Sequence, residues 1–181
     1  KHIAGDDELP GTLIYASDSE FLTKERTKGN YDQISVGEKG KDDYIISSVD
    51  DFGMDGIKFT LEHAQEVRQI SLPLPGRHNA INSALAVAVG DLLGVSPEEE
   101  TDGLAAADLT GNRLKRRENG SICVIDDTYN ASPDSMKSAL RVLEHSRCDG
   151  KKIAILGDMY ELGEDSDRQH FGVGLFAGGL K

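Results

Sequence analysis

The sequence predicts an α/β protein built of two parts. Up to about residue 110, short β-rich runs with glycine turns precede two helices, a pattern typical of a mixed sheet with antiparallel hairpins. From residue 111 onward, strand and helix patterns alternate, which is typical of parallel strands with helices on the faces of the sheet. We therefore expect one domain over 1–110 and a second over 111–181.

The strands of the first part are predicted from alternation and from turn residues. Residues 12–16 form a β-rich run, and strands over 43–50 and 56–62 flank a segment whose glycines and Asp-Gly pair are typical of a hairpin turn. Apolar and polar residues alternate in the second of these strands, as one buried and one solvated face requires. A further strand covers 67–74. This part is expected to be antiparallel at its edge.

Two helices follow in the first part. Residues 79–93 are rich in Ala and Leu with a single charge, so we expect a mostly buried helix. Ser96 caps the next helix, with Pro97 at its first position and Glu99 completing a capping box.

The second part is expected to begin near Gly111 and to alternate strands with helices. The predicted elements are a strand over 121–126, a helix over 133–145 capped by Ser132, a strand over 152–156 and a helix from about Asp165.

Charge and composition exclude several classes of protein. The chain has 181 residues and a net charge of −12, which argues against a general nucleic-acid binder. With 38% hydrophobic and 29% charged residues, neither a disordered nor a membrane protein is favoured. The first residues lack the apolar region of a signal peptide, and two cysteines are too few for a disulfide framework, so we expect a cytoplasmic protein.

Asn79 and Asn82 form the first candidate site. They lie three residues apart in the first turn of a predicted helix, so both amides face the same way. A side-chain amide donates and accepts together, which suits the edge of a purine ring. The alternative is that Asn79 only caps the helix and that His78 is an ordinary loop histidine.

The second candidate site is the acid pair Asp126 and Asp127, which follows a buried strand and precedes a helix. Ligands of open α/β sheets gather at the carboxyl ends of strands, so Asp127 is placed to accept hydrogen bonds from a ribose or to order water around a metal. The alternative is that the two acids form an Asx turn and that Ser132 is only a helix cap. Arg113 is a candidate for contact with a phosphate.

The third candidate site is the loop Gly157–Gly163, which follows the predicted strand over 152–156. Asp158 and Glu161 are placed there to receive a cationic or amine-bearing substrate, unless the loop is simply solvated. Other sites are absent from the sequence: it contains no phosphate-binding P-loop, no histidine or cysteine spacing typical of a metal site and no nucleophile elbow.

Four segments in this order resemble the Mur ligases. They are LPLPGRHNAIN, TGNRL, VIDDTYNASPDSM and ILGDMYELGE, the last followed by His170. The forms Asp-Asp-x-Tyr-Asn-Ala-x-Pro and Leu-Gly-Asp-Met-x-Glu-Leu-Gly resemble the family member that joins D-alanyl-D-alanine to UDP-N-acetylmuramoyl-tripeptide. The resemblance runs from about Gly11 to about Gly174.

The resemblance implies the back part of a central ATPase domain over 1–110, followed by the front part of a Rossmann-like domain over 111–181. It implies an ATP- and Mg²⁺-dependent amide ligase of peptidoglycan synthesis, in which ATP phosphorylates the substrate carboxylate and an amine attacks the acyl phosphate. The implied nucleotide-binding residues are His78, Asn79, Asn82, Arg113, Asp127, Tyr129 and Asn130. Arg113 and Asp127 are the implied catalytic residues, and Asp158, Met159 and Glu161 are implied to bind the dipeptide.

The chain also departs from that family. The P-loop and the magnesium-binding residues of the family lie upstream of the matched segments, so we expect a fragment cut at both ends that binds little ATP and is inactive alone, with Mg²⁺ held mainly by residues that it lacks. The alternatives are a non-catalytic binding or regulatory module on the same scaffold, and an ATP-dependent ligase for another amino acid.

Overall fold

The computed structural model describes residues 11–22, 29, 31–109, 111 and 113–180. Two residues of the TGNRL segment, Thr110 and Asn112, and the amino-terminal residues 1–10 lie outside the described part. The chain divides into two compact units: the first comprises Lys1–Asp50, Lys58–Ser71 and His78–Ala106, and the second comprises Asp51–Ile57, Leu72–Arg77 and Ala107–Lys181.

Five strands form one sheet with the order β1-β2-β3-β4-β5. They are β1 Gly11–Ala16, β2 Tyr31–Gly37, β3 Tyr44–Asp51, β4 Ile57–His63 and β5 Glu66–Leu72. β2 pairs in parallel with both β1 and β3. Two residues with positive φ, Ala64 and Gln65, connect β4 to β5, and a two-residue connection of this kind joins antiparallel strands. The sheet is mixed, as predicted.

The prediction of an antiparallel edge is wrong on the β1 side of the sheet. β1 lies in register with β2, with Ile14 beside Ile34 and Ala16 beside Val36. β2 was not predicted as a strand, and without it the parallel edge could not be predicted.

The first unit has its core between the sheet and the helix α1, His78–Leu93, which contacts β1 and β2. Apolar side chains of the strands and small side chains of α1 fill this core. They are Tyr15, Val36, Tyr44, Ile46, Phe59, Leu61, Ile70, Ala80, Ala84, Val87 and Ala88. The expected alternation in β4 holds for its apolar residues. Its polar face is not fully solvated, because Thr60 is buried and accepts a hydrogen bond from Gln69 Nε2 at 2.8 Å.

The prediction of a mostly buried α1 is wrong, because only one face of the helix is covered. Val89, Leu92 and Leu93 are 44%, 53% and 74% exposed, whereas Ala84 and Ala88 are fully buried. An Ala-rich sequence has too little contrast between its faces to show which one is buried. The next helix, α2 (Pro97–Ala105), begins as predicted with Ser96 and Glu99 in a capping box.

Gly90 lets α1 approach the Glu100 side chain of α2. A Cβ at Gly90 would lie 2.2 Å from Glu100 Oε1. Alanine favours a helix over glycine by about 1 kcal/mol, but at this site Glu100 would have to leave its buried position. We therefore expect Gly90→Ala to lower the free energy of unfolding by about 1–3 kcal/mol, measured by urea denaturation.

Gly103→Ala in α2 is the matched control for this prediction. A Cβ at Gly103 meets no atom within 4 Å, so the same change there is expected to stabilise the protein by about 0.5–1 kcal/mol. Equal effects of the two substitutions would contradict the contact with Glu100.

The second unit contains a two-stranded sheet and two helices. β6 (Lys115–Asn119) and β7 (Ile122–Asp126) form an antiparallel pair. The prediction that the strand before Asp126 and Asp127 is buried is wrong, because Ile122 and Val124 are 63% and 49% exposed. The helices are α3, Pro133–His145, with the predicted Ser132 cap, and α4, Ser166–Gly179. Leu140, Met159 and Val173 are buried together and form the apolar core of this unit.

The predicted strand over 152–156 is wrong, and no parallel pair occurs in the described residues of the second unit. The segment has strand-like composition but no strand structure, and Ile153 and Ile155 are 73% and 94% exposed. A strand exists only where a neighbour takes up its backbone hydrogen bonds, and among the described residues β7 pairs only with β6.

The turn before β4 packs against the carboxyl end of α3 within the second unit. The Met54 N–H donates to Ser146 Oγ at 3.1 Å, and Asp51 pairs with His145 at 3.2 Å. Gly53 has a φ of +63°, and a Cβ there would lie 2.4 Å from the Ser146 nitrogen, so this position requires glycine. None of the helices in the described part of the chain is long and apolar enough to cross a membrane.

Candidate functional site

The two asparagines at the start of α1 face the same way, as predicted. Asn82 Nδ2 donates to Asn79 Oδ1 at 3.2 Å. Asn79 is 6% exposed, whereas Asn82 and His78 are exposed. The buried amide of Asn79 therefore fixes the orientation of the solvent-exposed amide of Asn82.

Asp127 holds the backbone that leads into β6. Its Oδ1 accepts a hydrogen bond from the Leu114 N–H at 3.0 Å. Leu114 is buried and has a φ of +48°, a left-handed conformation that is costly for a branched side chain. A carboxylate that satisfies the amide of such a residue helps to keep the strained backbone in place.

The backbone at Leu114 places Arg113 over the ring of Tyr129. The guanidinium carbon lies 4.9 Å from the ring centroid, a cation–π contact. Tyr129 is 65% exposed and Arg113 is also exposed. The two side chains therefore present a flat cationic group to solvent.

Asp126 and Asn130 have local structural roles. Asp126 Oδ1 accepts hydrogen bonds from the Thr128 hydroxyl and N–H, and its Oδ2 accepts one from Arg117. The Thr128 hydroxyl, with Arg117 as a further cause, lowers the pKa of Asp126 below its ordinary value. Asn130 Oδ1 accepts from the Ala131 N–H at 2.8 Å. The Asx turn that was the alternative interpretation is thus present at Asp126. Asp127 instead accepts a hydrogen bond from the Leu114 N–H.

The loop Gly157–Gly163 exposes Asp158 and Glu161 and buries Met159. The Met159 side chain is 3% exposed and packs with Leu140 and Val173, so it anchors the loop from inside the unit. Glu161 has a φ of +64°, an uncommon backbone conformation for a side chain other than glycine. Met159 therefore anchors the loop in the apolar core of the second unit, and the carboxylates of Asp158 and Glu161 lie at the surface.

His170 contacts the same loop, although no role was predicted for it from the sequence. Its Nε2 lies 2.6 Å from Asp158 Oδ1, and the Met159 N–H lies 3.0 Å from the same nitrogen. The sequence signal was a histidine following the loop motif, but only the packing of α4 against the loop brings the residues into contact.

None of these groups, in the part of the chain that the structure describes, is arranged to hold a metal ion. Asn79 and Asn82 lie in the first unit, while Arg113, Asp127 and Asp158 lie in the second. Across the described ranges, no three His, Cys, Asp or Glu side chains come together as a metal site would require.

Comparison with known proteins shows two family models along the chain. Residues 3–90 match the Mur ligase middle domain, and residues 112–177 match the Mur ligase glutamate ligase domain. The chain belongs to the Mur ligase family. The candidate residues at the start of α1 fall in the first match, and those from Arg113 to Glu161 fall in the second.

Two curated proteins that resemble this chain have the same enzyme name. The UDP-N-acetylmuramoyl-tripeptide--D-alanyl-D-alanine ligase of Bacillus subtilis is 34% identical over 164 residues, which cover 88% of this chain and 34% of the ligase. The Escherichia coli ligase of the same name is 36% identical over 122 residues, covering 66% of this chain and 26% of that one. This Mur ligase chain thus spans about a third of the length of the curated relatives it matches.

Solved structures agree with the family assignment. MurF of Acinetobacter baumannii is 32% identical with a TM-score of 0.80, over 91% of this chain and 35% of that one. MurF ligase of Thermotoga maritima, whose structure is a complex with ADP, is 25% identical with a TM-score of 0.79, over 94% of this chain and 39% of that one. The α/β fold class predicted for this Mur ligase chain is confirmed.

Proposed function

We propose that this chain is part of an ATP-dependent amide ligase of peptidoglycan synthesis, which adds D-alanyl-D-alanine to UDP-N-acetylmuramoyl-tripeptide. The observation that carries the proposal is the combination of both Mur ligase domain models on one chain with relatives that share this single printed activity. We place the domain boundary near Gly111, between the two matched ranges, and the enzyme in the cytoplasm.

In this proposal the asparagines of α1 hold the adenine of ATP. The exposed amide of Asn82 donates to and accepts from the edge of the base, and Asn79 fixes its orientation through their 3.2 Å hydrogen bond. His78 shapes the entrance to the helix from its exposed position. A fixed amide discriminates a purine edge because an unmatched donor or acceptor costs free energy.

Arg113 contacts the phosphates in this proposal. A guanidinium presents its donors in a rigid fork that suits phosphate oxygens, and the Tyr129 ring restricts its orientation. Asp127 acts on Arg113 through the backbone, by holding the Leu114 N–H, and its carboxylate is the proposed acceptor for a ribose hydroxyl. Asn130 supports the same turn before α3.

Asp158 and Glu161 receive the amine of the incoming dipeptide. Both carboxylates are exposed on a loop that Met159 anchors in the core, and a carboxylate is the natural acceptor for an ammonium group. ATP, when bound, supplies the activation of the substrate carboxylate as an acyl phosphate. Among the described residues no cluster is arranged to hold a metal ion. The roles proposed for these residues therefore do not involve Mg²⁺.

The proposal predicts that the 181-residue chain alone has negligible ligase turnover and at best about millimolar affinity for ATP, since a phosphate cradle supplies most of the stabilisation of the transferred group. We expect the full-length protein, by contrast, to release phosphate from ATP only when the tripeptide substrate and D-alanyl-D-alanine are both present. Release of phosphate from radiolabelled ATP is measured with the tripeptide substrate and D-alanyl-D-alanine, each alone and both together.

Two outcomes would contradict the proposal. Substrate-dependent phosphate release by the chain alone would show that the phosphate site lies within it. A full-length protein without a P-loop upstream of Lys1, and without phosphate release, would favour the non-catalytic module. Replacement of the dipeptide by other amino acids in the same assay distinguishes a related amino-acid ligase.

A further inference from the structure

His170 and Asp158 form a contact that the proposed roles above do not use. His170 lies in the second turn of α4, and its side chain is 32% exposed. Its Nδ1 lies 2.8 Å from the Ser166 carbonyl oxygen, so Nδ1 carries the hydrogen and donates. Its Nε2 lies 2.6 Å from Asp158 Oδ1. The imidazole therefore bridges the first turn of α4 and the loop Gly157–Gly163.

The protonation state of His170 decides what it does to Asp158. With a proton on both nitrogens, Nε2 donates to Asp158 Oδ1, and the Met159 N–H donates to the same oxygen at 3.0 Å. With a proton on Nδ1 alone, the Nε2 lone pair faces the carboxylate and instead accepts from the Met159 N–H, also at 3.0 Å. Asp158 is 64% exposed, so it is free to turn away from a neutral imidazole.

The surroundings favour the charged form. The Ser166 carbonyl, and after it the Asp158 carboxylate, raise the pKa of His170 above its ordinary value, against the opposing effect of desolvation. Asp167, on the same helix, acts in the same direction. Asp165, in the turn before α4, is paired with Arg168 at 2.9 Å. The charged groups around the imidazole are therefore acidic or already paired.

We propose that His170 is a positioning residue for the dipeptide amine: as an imidazolium it holds Oδ1 of Asp158, so that Oδ2 is presented to the incoming ammonium group. This inference rests on the proposed function, since it names the group that orients the loop of that same site. Among the residues that the structure describes, none donates a hydrogen bond to Oδ2.

The first test needs no ligase activity. In the 181-residue chain, the His170 imidazole is titrated by NMR. Asp158→Asn is expected to lower the pKa of His170, because it removes the negative charge beside Nε2. Arg168→Ala, on the same helix, is the control: it removes a cation and leaves Asp165 without its pair at 2.9 Å, so it is expected not to lower that pKa. An unchanged His170 pKa in Asp158→Asn would overturn the inference.

The second test measures the KM for D-alanyl-D-alanine between pH 6 and 8 in the full-length protein. His170→Ala is expected to raise this KM about tenfold at pH 6, with kcat and the KM for ATP within about twofold. His170→Gln keeps a hydrogen-bond donor near the position of Nε2 at every pH. It is therefore expected to restore the low KM for D-alanyl-D-alanine and to remove the rise in KM that the wild type shows as His170 loses its proton. The titration of the substrate amine is common to all variants and cancels in the comparison.

The outcomes separate this inference from the proposed function. A full-length protein without ligase turnover refutes the proposed function, whatever the NMR titration shows. An active ligase in which His170→Ala keeps the wild-type KM and pH profile refutes the role of His170 alone. A loss of affinity for all three substrates in His170→Ala, without rescue by His170→Gln, shows a merely structural role and also refutes it.

Discussion

Replacing Arg68 by methionine is expected to lower the free energy of unfolding by about 3 kcal/mol at neutral pH. Arg68 Nη1 donates to Glu100 Oε2 at 2.7 Å, and its Nη2 donates to Asp91 Oδ1 at 3.0 Å. The Glu100 side chain is 6% exposed, and its Oε1 is buried without a hydrogen-bond partner among the described residues. Removal of the guanidinium leaves this buried carboxylate without its compensating charge.

The Arg68 prediction is measured by urea denaturation of the wild type and the variant at pH 7. Lys39→Met is the matched control in the same unit, since Lys39 pairs with Asp18 at 3.9 Å and is 68% exposed. An exposed ion pair contributes at most about 1 kcal/mol, so this control is expected to change little. Equal losses in the two variants would contradict a special role for the buried carboxylate.

The pH dependence of the Arg68 variant follows from Glu100. Burial, and then the charge of Asp91, raise the pKa of Glu100 above its ordinary value, while Arg68 lowers it. An acid whose pKa is higher in the folded than in the unfolded state takes up a proton on folding, so its protonation stabilises the fold as pH falls. Arg68→Met is therefore expected to regain part of its lost stability between pH 7 and pH 5, more than the wild type gains over the same range. A change in stability between pH 7 and pH 5 equal to that of the wild type would contradict this.

The helices were predictable because their signals are local. Ser132 and Pro133 mark the beginning of α3, and Ser96, Pro97 and Glu99 mark that of α2, because caps satisfy backbone groups within one turn. The hydrogen bond between Asn79 and Asn82 also follows from spacing within one helical turn.

The strand errors come from contacts that are distant in sequence. β2 was not predicted, because its place in the sheet is defined by parallel pairing with β1 and β3. The segment over 152–156 has the composition of a strand but no neighbour in the described structure to pair with. Composition indicates which residues favour a strand, while pairing depends on the rest of the fold.

The sequence motifs indicated the candidate residues, whose roles stay predictions, but not the contacts between them. The motifs indicated Arg113, Asp127 and Asp158 as polar groups near strand ends or linkers. They did not indicate the stacking of Arg113 on Tyr129, because that depends on the left-handed backbone of Leu114. Nor did they indicate His170, which reaches Asp158 only because α4 packs beside the loop.

Replacing Arg113 by alanine is expected to lower the kcat of the full-length ligase by about 10²–10³-fold. If Arg113 contacts the phosphates as proposed, its donors act on charge that develops in the transition state, and the effect appears in kcat more than in the KM for ATP. The folding cost is expected to be small, about 0.5–1 kcal/mol, because the contact removed is an exposed cation–π pair with Tyr129.

Three further variants make the Arg113 prediction specific. Arg113→Lys keeps the charge but not the planar fork, so an intermediate loss is expected. Tyr129→Phe keeps the ring under the guanidinium and is expected to keep most of the activity. Arg116→Ala removes an exposed arginine that pairs with Glu118 at 2.6 Å, and it is expected to leave kcat unchanged. A kcat within twofold of the wild type in Arg113→Ala would show that Arg113 does not contact the phosphates in the transition state.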